Sequence, residues 1–253
     1  MTGRTVACLL LVASLLLVDV SAATESAEPL PVAGETNGQE VSPFDADFAE
    51  VETLHVWDPI EPVNRGFFWF NDKLYFYLFK PVARGLRVIP EPARVSVDNF
   101  FDNLGAPVRF ANNLLQLKPG NAGVELVRFM FNSTFGIAGL FDFAKAHAGL
   151  DPKNEDLGQT LGHYGTGPGF YLVLPVLGPS NARDLVGRVG DNFLDPLYYT
   201  LGQGERIAGK VIERENYLSL DKDTYEGIVR DELDPYLFVR NAYAQRRQAQ
   251  IAK

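Results

Sequence analysis

One stretch of the chain, residues 156–184, restricts the possible folds more than any other because glycine and proline punctuate it repeatedly. The apolar run Phe170–Leu174 lies between a glycine-rich part and a second part broken by Pro175, Gly178 and Pro179. Glycine allows backbone conformations that other residues resist, whereas proline fixes φ and lacks an N–H donor. We therefore predict bends followed by an apolar hairpin. The glycines of the first part are Gly158, Gly162, Gly165, Gly167 and Gly169.

Residues 1–23 have the pattern of a secretory signal peptide. Arg4 supplies the positive region, Thr5–Val18 is apolar, and Val20–Ala22 offers a small-residue cleavage site. The apolar part is too short to span a bilayer comfortably. The one cysteine, Cys8, lies inside this signal, so we expect a mature chain without a disulfide, a Cys-based metal site or a cysteine for lipidation.

The acidic character of the chain is confined to its beginning. The sequence has 23 Lys and Arg against 32 Asp and Glu, yet residues 62–253 hold 22 basic and 21 acidic residues. Residues 24–54 are acidic, rich in Pro, Gly and Ala, and poor in large apolar groups, which predicts a disordered leader. The nearly neutral remainder disfavours nucleic-acid binding, which needs a basic face, and is compatible with a membrane environment.

Residues 55–253 form the predicted folded domain, and its fold class is predicted to be all-α. Regular two-residue alternation bounded by hairpin turns is scarce, which argues against a β-sheet protein. Asp58, followed by Pro59 and Glu61, is predicted to be the N-cap of the first helix. The predicted helices lie near 59–79, 91–104, 107–117, 121–135, 180–192, 205–217 and 222–250.

The first predicted helix is crowded with aromatic side chains. Eight aromatic residues occur between positions 67 and 79, and they fall on every side of a helical wheel. A helix that is apolar all round lies either in a protein core or in lipid, and composition leaves both possibilities open. Trp and Tyr beside lysines are typical of the bilayer interface. The candidate membrane-interface residues are Phe67, Trp69, Phe70, Tyr75 and Tyr77.

Polar residues recur in two later parts of the domain. Between Val97 and Leu117, asparagines alternate with aromatic residues, and we predict that these amides cap or bridge helices inside the fold. The last helix, from Asp234 to about Gln250, becomes basic towards its end. Cations there favour the helix dipole, and docking onto acidic partners or lipid headgroups is the alternative. The basic residues are Arg240, Arg246, Arg247 and Lys253.

The sequence lacks the residue sets of the common enzyme classes. His55, His147 and His163 have no His, Cys or acidic neighbours at metal-ligand spacing, and there is no Gly-x-Ser-x-Gly motif. Pro168 lies within the glycine-rich loop and no strand precedes it, which argues against a dinucleotide site. His163 could act as a general base, but without a nearby nucleophile we predict a hydrogen-bonding anchor. We expect no enzyme activity and no cofactor, and keep a hydrolase that uses His163 as the weakest alternative.

Motifs between residues 57 and 247 resemble the VacJ family, the outer-membrane component of the Mla phospholipid-transport system. The resemblance implies a ring-like bundle of amphipathic and interfacial helices in the periplasmic leaflet of the outer membrane, around a polar-lined lipid passage. It also implies phospholipids, trimeric porins and a soluble periplasmic lipid carrier as partners. Unlike the family, the sequence as given has no cysteine directly after the signal for a lipid anchor, and a start further upstream is the alternative. The matching motifs are Asp58–Glu61, Asn64-Arg65, Phe70-Asn71, Lys80–Ala83, Asn99-Phe100, Asn103-Leu104, Pro107, Gly158–Gly165, Leu174-Pro175, Gly178, Arg183-Asp184, Asp234–Tyr236, Val239-Arg240 and Ala242-Tyr243.

The resemblance assigns a role to residues 156–184, the stretch that glycine and proline punctuate. We expect the glycines from 162 to 169 to supply bends and residues 171–175 to form a movable wall beside the lipid passage. The family's role is to remove mislocalised phospholipids from the outer leaflet and so maintain lipid asymmetry. A structural adaptor that binds porins without conducting lipid is the alternative. The candidate passage and gate residues are Gly162, His163, Tyr164, Gly165, Gly169, Tyr171, Leu174, Pro175 and Gly178.

Overall fold

The computed structural model describes residues 55–195, 197–221 and 223–253, so the predicted signal peptide and acidic leader lie outside the described residues. Within them the chain is helical except for one hairpin, which confirms the predicted fold class. The elements are α1 (Glu61–Leu74), a π-helical segment (Tyr75–Phe79), α2 (Lys80–Leu86), α3 (Glu91–Leu115), α4 (Pro119–Thr134), α5 (Phe143–Ala148), α6 (Leu157–His163), β1 (Tyr171–Leu174), β2 (Gly178–Asn181), α7 (Ala182–Leu194), α8 (Leu197–Thr200), α9 (Gln203–Leu220), α10 (Thr224–Asp231) and α11 (Pro235–Ile251).

Asp58 does not cap α1, contrary to the prediction. The helix begins at Glu61 after Ile60, and no side chain caps it. The Asp58 carboxylate instead accepts hydrogen bonds from the Asn64 amide (2.8 Å) and the Tyr236 hydroxyl. These partners, one of them on α11, draw the carboxylate inward and away from the helix end. The same motif does cap α11, where Asp234 accepts the Leu237 N–H at 3.2 Å.

Two predicted helix boundaries were wrong. The predicted helices 91–104 and 107–117 are one helix, α3, with Pro107 inside it. An interior proline costs about 3 kcal/mol, which the long packing surface of α3 against α4 and α9 offsets. The predicted helix 222–250 is two helices, α10 and α11, because Asp234 and Pro235 start a new helix.

Four short helices, α2, α5, α6 and α8, lie outside the predicted helices. Of these, α6 contains Gly158 and Gly162, and glycine is unfavourable in a helix interior by about 1 kcal/mol. Packing against α7, α11 and α3 holds this helix in place. Intrinsic propensity alone therefore gave no signal for it.

The packed elements form a closed circuit. β1 packs on α1, β2 packs on α7 and α11, α11 on α6, α6 on α3, α3 on α9, and α9 on α2, which continues from α1 through the π-helical segment. α4 packs along α3, and α5 packs on α4. This circuit is compatible with the ring-like arrangement that the family resemblance implies. In the described part of the chain, no helix is both long and apolar enough to cross a membrane.

The predicted apolar hairpin is present. β1 and β2 pair antiparallel with Tyr171 opposite Asn181 and Leu174 opposite Gly178. Alternate residues of β1, Tyr171 and Val173, are buried, and they pack with Tyr236 and Tyr243 of α11. The hairpin is therefore part of the interior on one face.

Candidate functional site

The interior of the described domain contains more buried polar and charged residues than the core of a typical water-soluble protein. Asn112, Asn113 and Glu125 are fully buried, and Arg128 is 2% exposed. Charged residues are almost never fully buried unless they are paired. The polar interior is defined by these four residues together with Asn64, Arg94, Asn103, Gln116, Asn132, Glu155, Gln159, Thr160, Asn181, Arg183, Asp184, Glu215 and Asn216.

The centre of the polar interior is Arg247, held between two carboxylates. Its guanidinium donates to Asp156 at 2.7 and 2.9 Å and to Asp184 at 2.8 and 3.0 Å. The Tyr243 hydroxyl donates to Asp184 at 2.6 Å. Burial by itself would raise the pKa of both carboxyl groups, but the Arg247 charge and hydrogen bonds outweigh it and lower both pKa values. Both carboxylates are therefore ionised at neutral pH, and α6, α7 and α11 are tied together by charge.

A second chain of polar contacts leads from this centre to α3. Asp191 of α7 accepts from the Asn112 amide (2.9 Å) and the Leu157 N–H (3.1 Å). The Asn112 carbonyl accepts from the Thr160 hydroxyl at 2.9 Å. Burial, reinforced by the nearby Asp156 charge, raises the pKa of Asp191 to about 6. The predicted bridging role of the asparagines in α3 is thereby confirmed.

The polar contacts continue between α3, α4 and the segment after α5. Glu125 accepts from Arg109 Nε at 2.7 Å and from the Lys153 N–H. Arg128 donates to Asp142 at 3.0 and 3.1 Å. The buried charges of Glu125 and Arg128 are thus met by hydrogen-bonding partners, as a low-dielectric interior requires.

The close approach of α6 and α7 depends on glycine. A Cβ at Gly158 would lie 2.6 Å from Asp184 Oδ1, and a Cβ at Gly187 would lie 2.3 Å from the Gly158 nitrogen. Real Cβ contacts are not that short, so any other residue would push the helices apart. The separation of the Asp156 and Asp184 carboxylates, and hence the Arg247 site, follows from these two glycines.

The outer surface shows the opposite polarity. Trp69 is 62% exposed and Tyr77 80% exposed, and large apolar residues are exposed along most helices. Exposed large apolar residues in this number indicate an interaction with lipid or protein. The apolar outer surface is defined by Trp57, Val63, Phe67, Trp69, Phe70, Tyr77, Val82, Val88, Leu114, Leu115, Leu117, Leu126, Val127, Met130, Phe135, Ile137, Phe141, Val186, Val189, Phe193, Tyr198, Tyr199 and Ile212.

Four of the five candidate interface residues belong to this surface, and one does not. Phe67, Trp69, Phe70 and Tyr77 are exposed, whereas Tyr75 is half-buried and its hydroxyl donates to Glu226 of α10 at 2.8 Å. Burial and the Glu226 carboxylate raise the pKa of Tyr75. Tyr75 therefore attaches α10 to the π-helical segment.

A cavity of about 70 Å³ lies beside the hairpin. The hairpin contributes Tyr171, Val173, Gly178 and Pro179 to its wall, and Arg214 and Asp221 lie at a polar part of the lining. The lining is mostly apolar with a few polar groups, and the cavity is smaller than the roughly 300–1,000 Å³ of a typical ligand pocket. The other lining residues are Phe68, Asn71, Tyr75, Tyr217, Leu218, Thr224, Tyr225 and Val239.

The candidate gate residues are distributed over α6, the following loop and the hairpin. Gly165 and Gly169 adopt left-handed conformations (φ 86° and 69°) and supply the expected bends. Gly162 does not, because it lies within α6, where a Cβ would be 2.5 Å from Ile251 Cδ1. Gly162 thus allows close packing of α6 on α11.

The anchor of this loop is Tyr164, the neighbour of His163. His163 is exposed and contacts the Tyr164 ring edge-on at 5.3 Å. The Tyr164 hydroxyl donates to the Leu115 carbonyl at the end of α3. Leu174 and Pro175, at the turn of the hairpin, are half-buried. Within the described ranges, no His, Cys, Asp and Glu cluster could hold a metal ion.

Sequence reasoning missed the central residue of the polar interior. Arg247 belongs to a run of basic residues that was interpreted through the helix dipole or partner docking, and Arg240 likewise turns inward to Asp58 at 3.4 Å. One signal was available: Tyr236, Val239 and Tyr243 mark the buried face of α11, and Arg247 follows Tyr243 by four residues on the same face.

A helical domain with a polar, charge-paired interior and an apolar surface belongs to the class of membrane-associated helical proteins. The family model "MlaA lipoprotein" matches residues 56–250, and the chain belongs to this family. It is 36% identical over 196 residues to the "Intermembrane phospholipid transport system lipoprotein MlaA" of Escherichia coli, covering 75% of this chain and 76% of that protein.

Two further comparisons also find similarity over about three quarters of this chain. An uncharacterized protein of Rickettsia bellii is 37% identical over 202 residues, which cover 78% of this chain and 77% of the relative. A solved structure described as "Structural basis for maintenance of bacterial outer membrane lipid asymmetry" superposes with a TM-score of 0.68 at 36% identity. It covers 77% of this chain and 98% of the solved chain.

Proposed function

We propose that this protein is the outer-membrane component of an intermembrane phospholipid transport system. It removes mislocalised phospholipids from the outer leaflet of the outer membrane and so maintains lipid asymmetry. The family membership and the description of the Escherichia coli relative support this role.

The observation that carries the proposal is the inverted polarity of the domain. Apolar side chains face outward on the helices, while paired charges and amides fill the interior. In lipid, the outer surface loses no hydrophobic free energy by being exposed, and irregular backbone is tolerated where it lines a cavity. A domain of this kind can remain among acyl chains while its interior accommodates polar headgroups.

The passage is proposed to run beside the hairpin. The cavity there has apolar walls for acyl chains and Arg214 and Asp221 for a polar headgroup. Gly165 and Gly169 shape the loop that leads into β1, and Tyr171, Leu174, Pro175 and Gly178 belong to the hairpin that forms one wall. In this proposal Tyr164 secures the loop at the end of α3, and the predicted anchor His163 only contacts the Tyr164 ring.

The finer assignments follow the family resemblance. The protein is exported by residues 1–23, is retained at the periplasmic face of the outer membrane by its apolar outer surface, and binds trimeric porins. It passes phospholipid to a soluble periplasmic carrier and needs neither a cofactor nor a catalytic residue. An adaptor that only binds porins would need no cavity with both apolar and charged lining residues, so we favour conduction.

The test is to fill the cavity. Thr224 lines it at the start of α10, so Thr224→Trp should obstruct it, whereas Thr200→Trp places the same side chain on exposed α8. Both variants should accumulate at wild-type abundance in outer-membrane fractions. Phospholipid in the outer leaflet, measured by chemical labelling of intact cells, should increase for Thr224→Trp alone. Normal asymmetry in a folded Thr224→Trp protein would contradict conduction through this cavity.

A further inference from the structure

The free edge of β1 is paired with side chains of α1 instead of a third strand. Asn64 donates from its amide to the Tyr171 carbonyl at 3.1 Å and accepts the Val173 N–H at 2.8 Å. An unpaired strand edge buried against a helix would leave these backbone groups without partners. The Asn64 side chain, 1% exposed, replaces the missing strand.

Asn71 repeats this arrangement two helical turns further along α1. Its amide donates to the Leu174 carbonyl at 2.9 Å, and its carbonyl accepts the Val176 N–H. Residues seven apart lie on the same face of a helix, so Asn64 contacts the strand edge and Asn71 the turn that follows it. Asn71 also lines the cavity described above.

The turn that Asn71 holds is strained. Val176 has φ 67°, a left-handed conformation that is an outlier for a β-branched residue. Its side chain is buried with Phe79, Ala83 and Leu218. Strained residues persist only where the surroundings over-determine them, and they cluster at functional sites.

We propose that Asn71, together with Asn64, is a positioning residue that holds the hairpin wall of the lipid passage in this strained conformation. The hydrogen bonds of the two asparagines are independent of the proposed function. The effect of these bonds on lipid transport rests on it. α1 carries the exposed aromatic residues Trp69 and Phe70. The hairpin therefore keeps a fixed position relative to the membrane-facing helix, and the shape of the cavity depends on that link.

Hydrogen exchange of the purified full chain in detergent tests the geometry. In Asn71→Ala the Val176 amide should exchange about fivefold faster, the change expected when one hydrogen bond is lost. The Tyr171 amide is the internal reference, since it donates to the Trp57 carbonyl (2.8 Å) and contacts neither asparagine. Asn99→Ala is the matched control, because Asn99 also donates from a helix to a carbonyl, that of Leu140 (3.4 Å). An unchanged Val176 rate in Asn71→Ala would overturn the proposal.

The same variants in cells separate positioning from general stability. Asn71→Ala should keep a wild-type unfolding midpoint yet show more phospholipid in the outer leaflet, while Asn99→Ala should be normal in both. Faster Val176 exchange with normal asymmetry would refute the positioning role while Thr224→Trp still reports on the proposed function. If neither Asn71→Ala nor Thr224→Trp changes asymmetry, the proposed function itself fails. Asn64→Ala, with exchange at Val173 as its readout, repeats the test at the second asparagine.

Discussion

The surroundings of Arg247 and the outer surface around Trp69 lie in one domain but follow opposite rules. Arg247 is buried among two carboxylates and a tyrosine hydroxyl, whereas Trp69 is 62% exposed on a helix with other exposed aromatic residues. In water both regions would raise the free energy of the folded state, because exposing apolar surface and burying charges are each unfavourable. The contrast indicates that hydrogen bonds and ion pairs order the interior while lipid accepts the exterior.

The two regions also differ in how they respond to change. A buried ion pair contributes little net stability, but removing one partner leaves an uncompensated charge. An exposed apolar residue contributes to partitioning into the membrane and little to folding. Substitutions in the two regions should therefore separate unfolding from membrane binding.

The largest effect is expected at the centre of the polar interior. Arg247→Met should lower the free energy of unfolding by about 3 kcal/mol, the low end for a broken buried pair, because Asp184 is 4% exposed whereas Asp156 is 38% exposed and keeps part of its hydration. Thermal unfolding in detergent measures it. Arg230→Met is the control, since the Arg230–Asp231 pair is exposed. A destabilisation of Arg247→Met no larger than that of Arg230→Met would show that the interior is not held by charge pairing.

An intermediate effect is expected from pH. The raised pKa values of Asp191 (about 6) and Glu215 (about 7), both caused first by burial, mean that the folded state holds protons that the unfolded state has released. Stability should therefore decrease as pH rises from about 4 to 7: Asp191 accounts for a loss of at most about 3 kcal/mol between about pH 4 and 6, and Glu215 for a loss of similar size that extends to about pH 7. Asp156 and Asp184 have lowered pKa values, so their contributions change only below this range.

Unfolding midpoints at several pH values check this expectation. Asp191→Asn should flatten the lower part of the pH profile and Glu215→Gln the upper part, because each removes one titrating group. Asp231→Asn, at an exposed carboxylate, should leave the wild-type slope. A wild-type midpoint that rises between about pH 4 and 7 would contradict the assignment.

The smallest effect is expected on the outer surface. Trp69→Glu should weaken partitioning into phospholipid vesicles by about 1–3 kcal/mol and leave the unfolding midpoint in detergent nearly unchanged. Gln203→Glu adds the same charge at an exposed polar position and should change neither quantity. Flotation with vesicles quantifies binding. If Trp69→Glu unfolds the protein but still binds vesicles normally, Trp69 belongs to a protein contact and not to the lipid-facing surface.

The sequence predicted the long helices and the hairpin because their signals are local. Glycine and proline mark the bends at Gly165, Gly169 and Pro175, and the aromatic run marks α1. The short helix α6 escaped prediction because its two glycines lower its intrinsic propensity, while their value lies in close packing against Asp184 and Ile251. Asp58 was misassigned for a similar reason, since a tertiary partner on α11 competes with the local helix end.

The sequence by itself determined the fold class, the hairpin, the near-neutral domain and the resemblance to a lipid-transport family, since these depend on composition, periodicity and ordered motifs. Only the tertiary structure decided that polar residues fill the interior, that Arg247 joins three helices, and that Asn64 and Asn71 pair with the backbone of the hairpin. Asn64 and Tyr171 are 107 positions apart in the sequence, which is far beyond the length of any local motif. Which buried charge meets which partner depends on chain closure over such distances, and no local pattern contains it.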